Sequence, residues 1–183
     1  MRVDIIGGGL SGLSTALSIK THDESIEVFV HEKHAMIGDN SDARKCGEAH
    51  SVETFSLKWT PPDEAIASTI TIAETIIGDT VHYVKRKPGT AWILFRPRYI
   101  SYLGNKAKKL GVNFILNQKI DDVSKLPGDI IVDASGCPSI VKKQLNIPQR
   151  LIGSGFQQTI ENCNVFEKNK LRIMFDKCNG YYW

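Results

Sequence analysis

Gly7, Gly9 and Gly12 follow the short apolar run at residues 3–6 in the order G-x-G-x-x-G, and the acid Glu32 comes twenty residues after Gly12. Each glycine has a physical use. The first permits a sharp turn, the second lets a pyrophosphate approach the backbone, and the third lets a helix pack closely on a strand. A helix starting there offers unbonded N–H groups and a partial positive charge to phosphates. Glu32 then accepts hydrogen bonds from adenosine ribose hydroxyls, which disfavours a 2′-phosphorylated nucleotide. An ordinary glycine-rich turn has the same composition. The strand before it, the helix after it and the acid at the end of the next strand point instead to a dinucleotide. The motif fits NAD and FAD equally.

A second turn has related chemistry. Asp133-Ala134-Ser135-Gly136 closes the apolar run "DIIVDASG" on the edge where an open α/β sheet takes its ligand. Flavoenzymes with two dinucleotide sites often carry such a strand end, and a plain strand-to-helix turn uses the same residues. Cys46, Cys137, Cys163 and Cys178 lack any C-x-x-C pair, so neither a zinc knuckle nor a disulfide framework is expected. Each cysteine reads as a small buried hydrophobe, and no metal site is expected.

The elements that must position these residues are legible in the apolar spacing. "VDII" reads as a strand, Leu10, Leu13 and Leu17 as one helical face, and "SIEVFVHE" as a second buried strand, which together make a βαβ unit. From Ala35 to Asp63 the chain is polar and irregular, the composition of a functional loop. Between the turn signals Gly78-Asp79 and Pro88-Gly89, β-branched and aromatic residues alternate, predicting two or three antiparallel strands. Ile100, Leu103, Ala107 and Leu110 then mark a helix stopped by Gly111, with "VNFIL" and "DIIVDASG" as further strands. The expected fold is α/β, a Rossmann-like domain over 1–150 with a mainly parallel sheet and an antiparallel β insertion at about 64–96. Residues 151–183 read as the start of a β-rich substrate domain.

The 183 residues are 42% hydrophobic and 23% charged with net charge +3, which argues against disorder and against a dedicated nucleic-acid binder. No stretch approaches the roughly 18 apolar residues of a membrane span. The first residues lack the pattern of a signal peptide, so the expected location is the cytoplasm.

In order along the chain, "DIIGGGLSGLSTA", "HEKHAMIGDN", "RKCGEAH", "FRPRYISYLGNKAKKLG" and "GDIIVDASGCPSIVKKQL" resemble the geranylgeranyl reductase family of flavoproteins. That family lies within the wider para-hydroxybenzoate hydroxylase-like group of FAD oxidoreductases. The discriminating piece is Lys45-Cys46-Gly47-Glu48, because aromatic hydroxylases usually lack a cysteine there. The resemblance implies an FAD-dependent enzyme that saturates isoprenoid double bonds, with NAD(P)H or another electron donor as reductant. It implies that Gly7, Gly9, Ser11 and Gly12 hold the pyrophosphate, that Glu32 and Lys33 lie at the ribose, and that Cys46, Gly47 and Ala49 lie along the flavin. Arg96 matches the arginine of the family's R-x-x-F-D signature, with Arg98 as a rival. Ile120, ending the strand after that helix, falls on the adenine side, and Ala134, Ser135 and Gly136 join the cofactor site. The resemblance gives Cys46 one of two roles, proton donor or shield of the flavin; its other reading is packing. Tyr181 and Trp183 match the start of a signature that lines the prenyl tunnel.

The chain also departs from the family. Ile100 replaces the signature aspartate, Cys137 follows the strand-end turn, Cys178 stands at a signature proline, and the later G-D-A-x-x motif is absent. Family members are about twice as long, so the chain is either an N-terminal portion, with a C-terminal half as partner, or a short form. A lipid substrate implies peripheral membrane contact, through Lys106, Lys108, Lys109, Lys142 and Lys143; those lysines also fit a solvated face. Two other functions stay open: a flavin monooxygenase of an aromatic compound, and a non-catalytic nucleotide-binding or electron-transfer module.

Overall fold

The computed structural model describes residues 1–39, 46–52, 60–148, 156–158 and 160–175. In chain order its elements begin with β1 (Arg2–Ile6), α1 (Leu10–His22), β2 (Glu27–His31), β3 (Ala49–Ser51), β4 (Ile66–Thr69), β5 (Ile72–Ile77) and β6 (Thr80–Lys85). They continue with β7 (Ala91–Leu94), α2 (Arg96–Lys109), β8 (Asn113–Ile115), β9 (Ile130–Asp133), α3 (Ile140–Gln144) and β10 (Lys170–Phe175). The chain divides into two compact units, Met1–Ala43 with Pro97–Ser154, and Arg44–Arg96 with Gly155–Trp183. No helix among the described residues is long and apolar enough to cross a membrane.

The first unit is built on a four-stranded parallel sheet of order β8-β2-β1-β9. The expected βαβ unit is present. Leu13, Ala16 and Leu17 of α1 are fully buried, as are Ile5, Val28 and Val30 of the sheet. Each large apolar side chain buried this way contributes about 1.5–3 kcal/mol. Leu10, the first residue of the expected helical face, is exposed because it stands on the open first turn of α1. In α2 the buried face is Tyr99, Leu103, Gly104 and Ala107, and Leu110 lies beyond its end.

One feature of this sheet has no counterpart in an ordinary apolar core. Asp4, on central β1, is fully buried, and His31 of β2 is 3% exposed. His31 Nε2 lies 2.7 Å from Asp4 Oδ1, and Nδ1 lies 2.5 Å from Gln118 Oε1. Arg2 donates from Nε and Nη2 to the two Asp4 oxygens, each at 3.0 Å, and its guanidinium lies 3.7 Å from the Phe29 ring centroid. Burial on its own would raise the Asp4 pKa. The hydrogen bonds from Arg2 and His31, with the charge of Arg2, outweigh it and hold the carboxyl below the ordinary aspartate value.

The second unit contains two small sheets. β7 pairs antiparallel with β3 and β4, and β5 pairs antiparallel with β6 and parallel with β10. The sequence predicts two or three strands across residues 64–96, and four are present. They divide between the sheets because Ile70 and Thr71 interrupt the run between β4 and β5. Within the expected loop from Ala35 to Asp63, β3 is a strand. Its three residues are too short to show alternation and take their register from Ala91 to Ile93 of β7. The Gly78 and Gly89 turns adopt positive φ, 55° and 74°, at the predicted positions.

Replacing the Asp4 carboxylate by an amide removes the charge that Arg2 faces and turns one of the two acceptor oxygens into a donor. Asp4→Asn should lower unfolding stability by about 3–5 kcal/mol in urea titrations at neutral pH. The sign with pH follows from the depressed carboxyl. Its stabilisation is complete above the unfolded aspartate pKa of about 3.9 and is lost as pH falls through the lower folded value. The variant should therefore show a shallower loss of stability than the wild type on the acid side of pH 4.

Candidate functional site

Register places the first candidate site. Ile6 of β1 lies beside His31 of β2 and beside Asp133 of β9, so three adjacent parallel strands end on one rung. The next residues along the chain are Gly7, Glu32 and Ala134. Residues far apart in sequence thus meet at the carboxyl edge of the sheet, where open α/β sheets take ligands.

The glycine turn is shaped by close approach. Gly7 has φ of 106°, and its N–H donates to the His31 carbonyl at 2.8 Å. A Cβ there would overlap the Ala134 carbonyl and lie 3.3 Å from the Ser135 Cα. Gly12 sits on the first turn of α1, where a Cβ would overlap the Gly7 carbonyl oxygen. The helix can lie this close to the turn only with hydrogen at both positions. Gly9 differs: no heavy atom of the described residues beyond its chain neighbours lies within 4 Å of the place its Cβ would take. Space beside the Gly9 backbone is therefore open to a ligand. α1 has no side-chain cap at Gly9 and no acid in its first turn, so its positive end is not answered by its own sequence. Ser11, on that turn, is exposed.

Glu32 is nearly buried, yet 12% of its side chain reaches the surface. Its Oε2 accepts the Gly8 N–H at 2.7 Å, which ties the strand end to the glycine turn. Its Oε1 accepts the His34 N–H at 3.0 Å and lies 2.8 Å from His34 Nδ1. Lys33 points to the surface as an exposed residue. At the β9 end, Ser135 donates to Asp133 Oδ1 from its backbone N–H and its hydroxyl at 3.1 and 2.6 Å, and Gly136 turns the chain at φ 90°. Ile120 does not end a strand. β8 stops at Ile115, and Asn117 at φ 54° turns the chain, so Ile120 lies half-buried in the loop that follows.

The second unit holds the other predicted cofactor residues. Cys46 is exposed, Gly47 is half-buried, and Ala49 opens β3. Between them Glu48 adopts φ of 66°, unusual for a side chain with Cβ and a form of strain that tends to mark functional segments. It is held by the Leu94 N–H, which donates to its carbonyl at 3.0 Å, and by Arg96, whose Nη2 lies 3.2 Å from Oε1. His50 stacks on Trp92 with centroids 6.0 Å apart, and burial lowers its pKa. Arg96, at the start of α2, thus meets Glu48 in this unit. Tyr181 and Trp183 lie outside the described residues, as do Lys45 and Cys178.

The reading of the cysteines is corrected. Cys46, Cys137 and Cys163 are exposed and unlinked, not buried hydrophobes, because each sits in a turn or loop outside the helices and strands. The polar floor beneath the site, Asp4, His31 and Gln118, has almost no signature in the sequence. Asp4 within "VDII" is the one visible signal, an acid in an otherwise apolar strand.

No protein-family model matches the chain, and no curated protein matches it. Solved structures do. A geranylgeranyl bacteriochlorophyll reductase-like protein from Thermoplasma acidophilum shares 19% identity over 63% of this chain and 30% of its own, with a TM-score of 0.52. A 2-methyl-3-hydroxypyridine-5-carboxylic acid oxygenase mutant shares 22% identity over 79% and 42%, with a TM-score of 0.55. The halogenase PltM, solved with phloroglucinol and FAD, shares 16% identity over 79% and 36%, with a TM-score of 0.60. The chain spans about a third to two fifths of the length of these structures. It shares with these structures a Rossmann-like fold, a parallel sheet with helices and added antiparallel strands.

The geometry at the turn separates two glycines that look alike in sequence. Gly12→Ala drives a methyl group into backbone and should cost about 1–3 kcal/mol or more. Gly9→Ala meets no atom of the described residues at φ −81°, a conformation open to any residue, and should change stability by less than about 0.5 kcal/mol. Thermal unfolding of the two variants checks the contrast.

Proposed function

We propose that this chain is the FAD-binding portion of an oxidoreductase that saturates double bonds of isoprenoid chains. The observation that carries the cofactor is the meeting of Gly7, Gly9, Gly12, Glu32 and Ala134 on one sheet edge, with open space at Gly9 and an uncapped helix end beside it. Those features fit a pyrophosphate against backbone N–H groups and a ribose against a carboxylate. When bound, FAD supplies hydride chemistry, with NAD(P)H or another donor as the source of electrons.

The chain's own residues supply binding, orientation and a proton. The α1 amides face the pyrophosphate, and Glu32 orients the ribose. The exposed Cys46 thiol, fixed next to the Gly47-Glu48 turn, is the candidate to deliver a proton from Sγ to the second alkene carbon. The substrate class is supported by Lys45-Cys46-Gly47-Glu48 and by the fold shared with the reductase-like protein. A lipid substrate calls for contact with a membrane surface. Lys108 and Lys109 at the end of α2 and Lys142 and Lys143 on α3 are exposed to solvent, and Lys106 Nζ lies 5.4 Å from the Tyr102 ring centroid. The proposed setting is cytoplasmic, at or near that surface.

A second reading is favoured by two of the matched structures. The oxygenase and the halogenase match this chain at least as well by TM-score, and both names concern ring compounds. A flavin monooxygenase would consume oxygen in step with a hydroxylated aromatic product. The isoprenoid reductase would consume reductant in step with lost double bonds.

The visible absorption spectrum of the purified chain after FAD incubation and desalting is the direct test of the cofactor. The expected result is a retained oxidised-flavin spectrum, weakened about tenfold or more in affinity by Gly9→Ala at unchanged stability, the loss of one good phosphate contact. A chain that takes up no FAD, alone or joined to a longer C-terminal segment, would overturn the proposal. Bound FAD with no turnover of either substrate class would instead favour the non-catalytic electron-transfer module.

A further inference from the structure

Glu32 takes more hydrogen bonds from its own chain than a ribose-binding acid requires. An ionised carboxylate offers about four acceptor positions, two on each oxygen. Oε1 accepts the His34 backbone N–H at 3.0 Å, and the ring Nδ1 of the same residue lies 2.8 Å from it. Nδ1 carries the proton in this pair, because a carboxylate can only accept. Oε2 receives the Gly8 N–H at 2.7 Å. Among the described residues one position remains open, on Oε2, and the 12% of the side chain at the surface makes it reachable.

His34 is itself held in place. Its carbonyl accepts the Asn117 N–H at 2.9 Å, and the Glu32 carbonyl accepts the Gln118 N–H at 2.9 Å. The turn after β8, with Asn117 at φ 54°, therefore fixes the backbone that carries the imidazole.

We propose that His34 is a positioning residue that saturates Glu32 Oε1 and restricts the carboxylate to a single ribose hydroxyl, received at Oε2. The proposal rests on the dinucleotide reading given above and deepens it. A carboxylate with both oxygens open can hold the 2′ and 3′ hydroxyls together. This one has room for one, so discrimination falls on one hydroxyl alone.

The test is calorimetric titration of the full chain with ADP, 2′-deoxy-ADP and 3′-deoxy-ADP, using wild type, H34A, H34N and E32Q. In the wild type, one deoxy compound should bind about tenfold or more weakly than ADP and the other should bind equally, the value of one hydrogen bond to a charged group. H34N should keep that pattern, since the asparagine amide N–H stands where Nδ1–H stands. H34A opens Oε1, and both deoxy compounds should then lose affinity. Equal losses for both compounds in the wild type would overturn the proposal. So would an H34A effect of the same factor on all three ligands, the mark of a merely structural role. If E32Q weakens ADP in either case, the dinucleotide reading survives and only the His34 restriction falls. If ADP does not bind, or E32Q binds all three like the wild type, both fall together. The wild-type pattern decides the matter even where H34A does not fold.

Discussion

The first unit depends on the approach of Gly12 to the Gly7 carbonyl. There is room for hydrogen and for nothing larger, so the first turn of α1 lies directly over the turn that leaves β1. That contact aims the helix end at the sheet edge. Because Ile6, His31 and Asp133 share a rung, the same contact sets the helix end beside Glu32 and Ala134. The position of Glu32 is then fixed from two sides, by Gly8 in the turn and by His34 behind it. His31, the residue before Glu32, is bonded at both ring nitrogens. A strand end anchored that way holds its following acid in place, which gives the buried polar floor a use beyond stability.

Much of this was legible in the residues because its signals are local. The β1-α1-β2 unit shows its apolar period within about thirty residues, and glycine spacing with a following acid is a pattern of the same range. The Gly78 and Gly89 turns are likewise written in adjacent residues. What escaped was set by distant partners. β3 is three residues long and exists through pairing with β7, some forty residues on. Asp4 is met by His31, itself bonded to Gln118, and no spacing rule links these residues. The strand expected to reach Ile120 stops at Ile115 because Asn117 accepts a left-handed backbone, a choice open to asparagine but not dictated by it.

The candidate site divides in the same way. Gly7, Gly9, Gly12 and Glu32 could be found by spacing, since their use is backbone geometry. Cys46 could be singled out, but its exposure could not, because a cysteine in an irregular segment has no period to place it. Glu48 was hidden for a further reason. Its importance lies in a positive φ and in the pairing with Arg96, a residue forty-eight positions away.

Each unit buries a carboxylate on a strand and answers it with a guanidinium, Asp4 with Arg2 in the first. In the second unit Glu74 of β5 is 2% exposed and is met by Arg172 and by Lys170, whose Nζ lies 3.4 Å away. Hydrogen bonding from Arg172 comes first among the causes that hold Glu74 below its ordinary pKa. Such pairs contribute little net stability, since desolvation offsets most of the attraction. Their consequence is register. Glu74 stands opposite Arg172 in the parallel pairing of β5 with β10, strands almost a hundred residues apart. A slip of one residue would turn every side chain of β10 to the other face and leave Glu74 buried without its guanidinium. Apolar neighbours such as Ile72, Ile76, Leu171 and Ile173 would tolerate several registers nearly equally. The buried charge does not, and so a long-range pairing that the apolar pattern leaves open is settled by electrostatics.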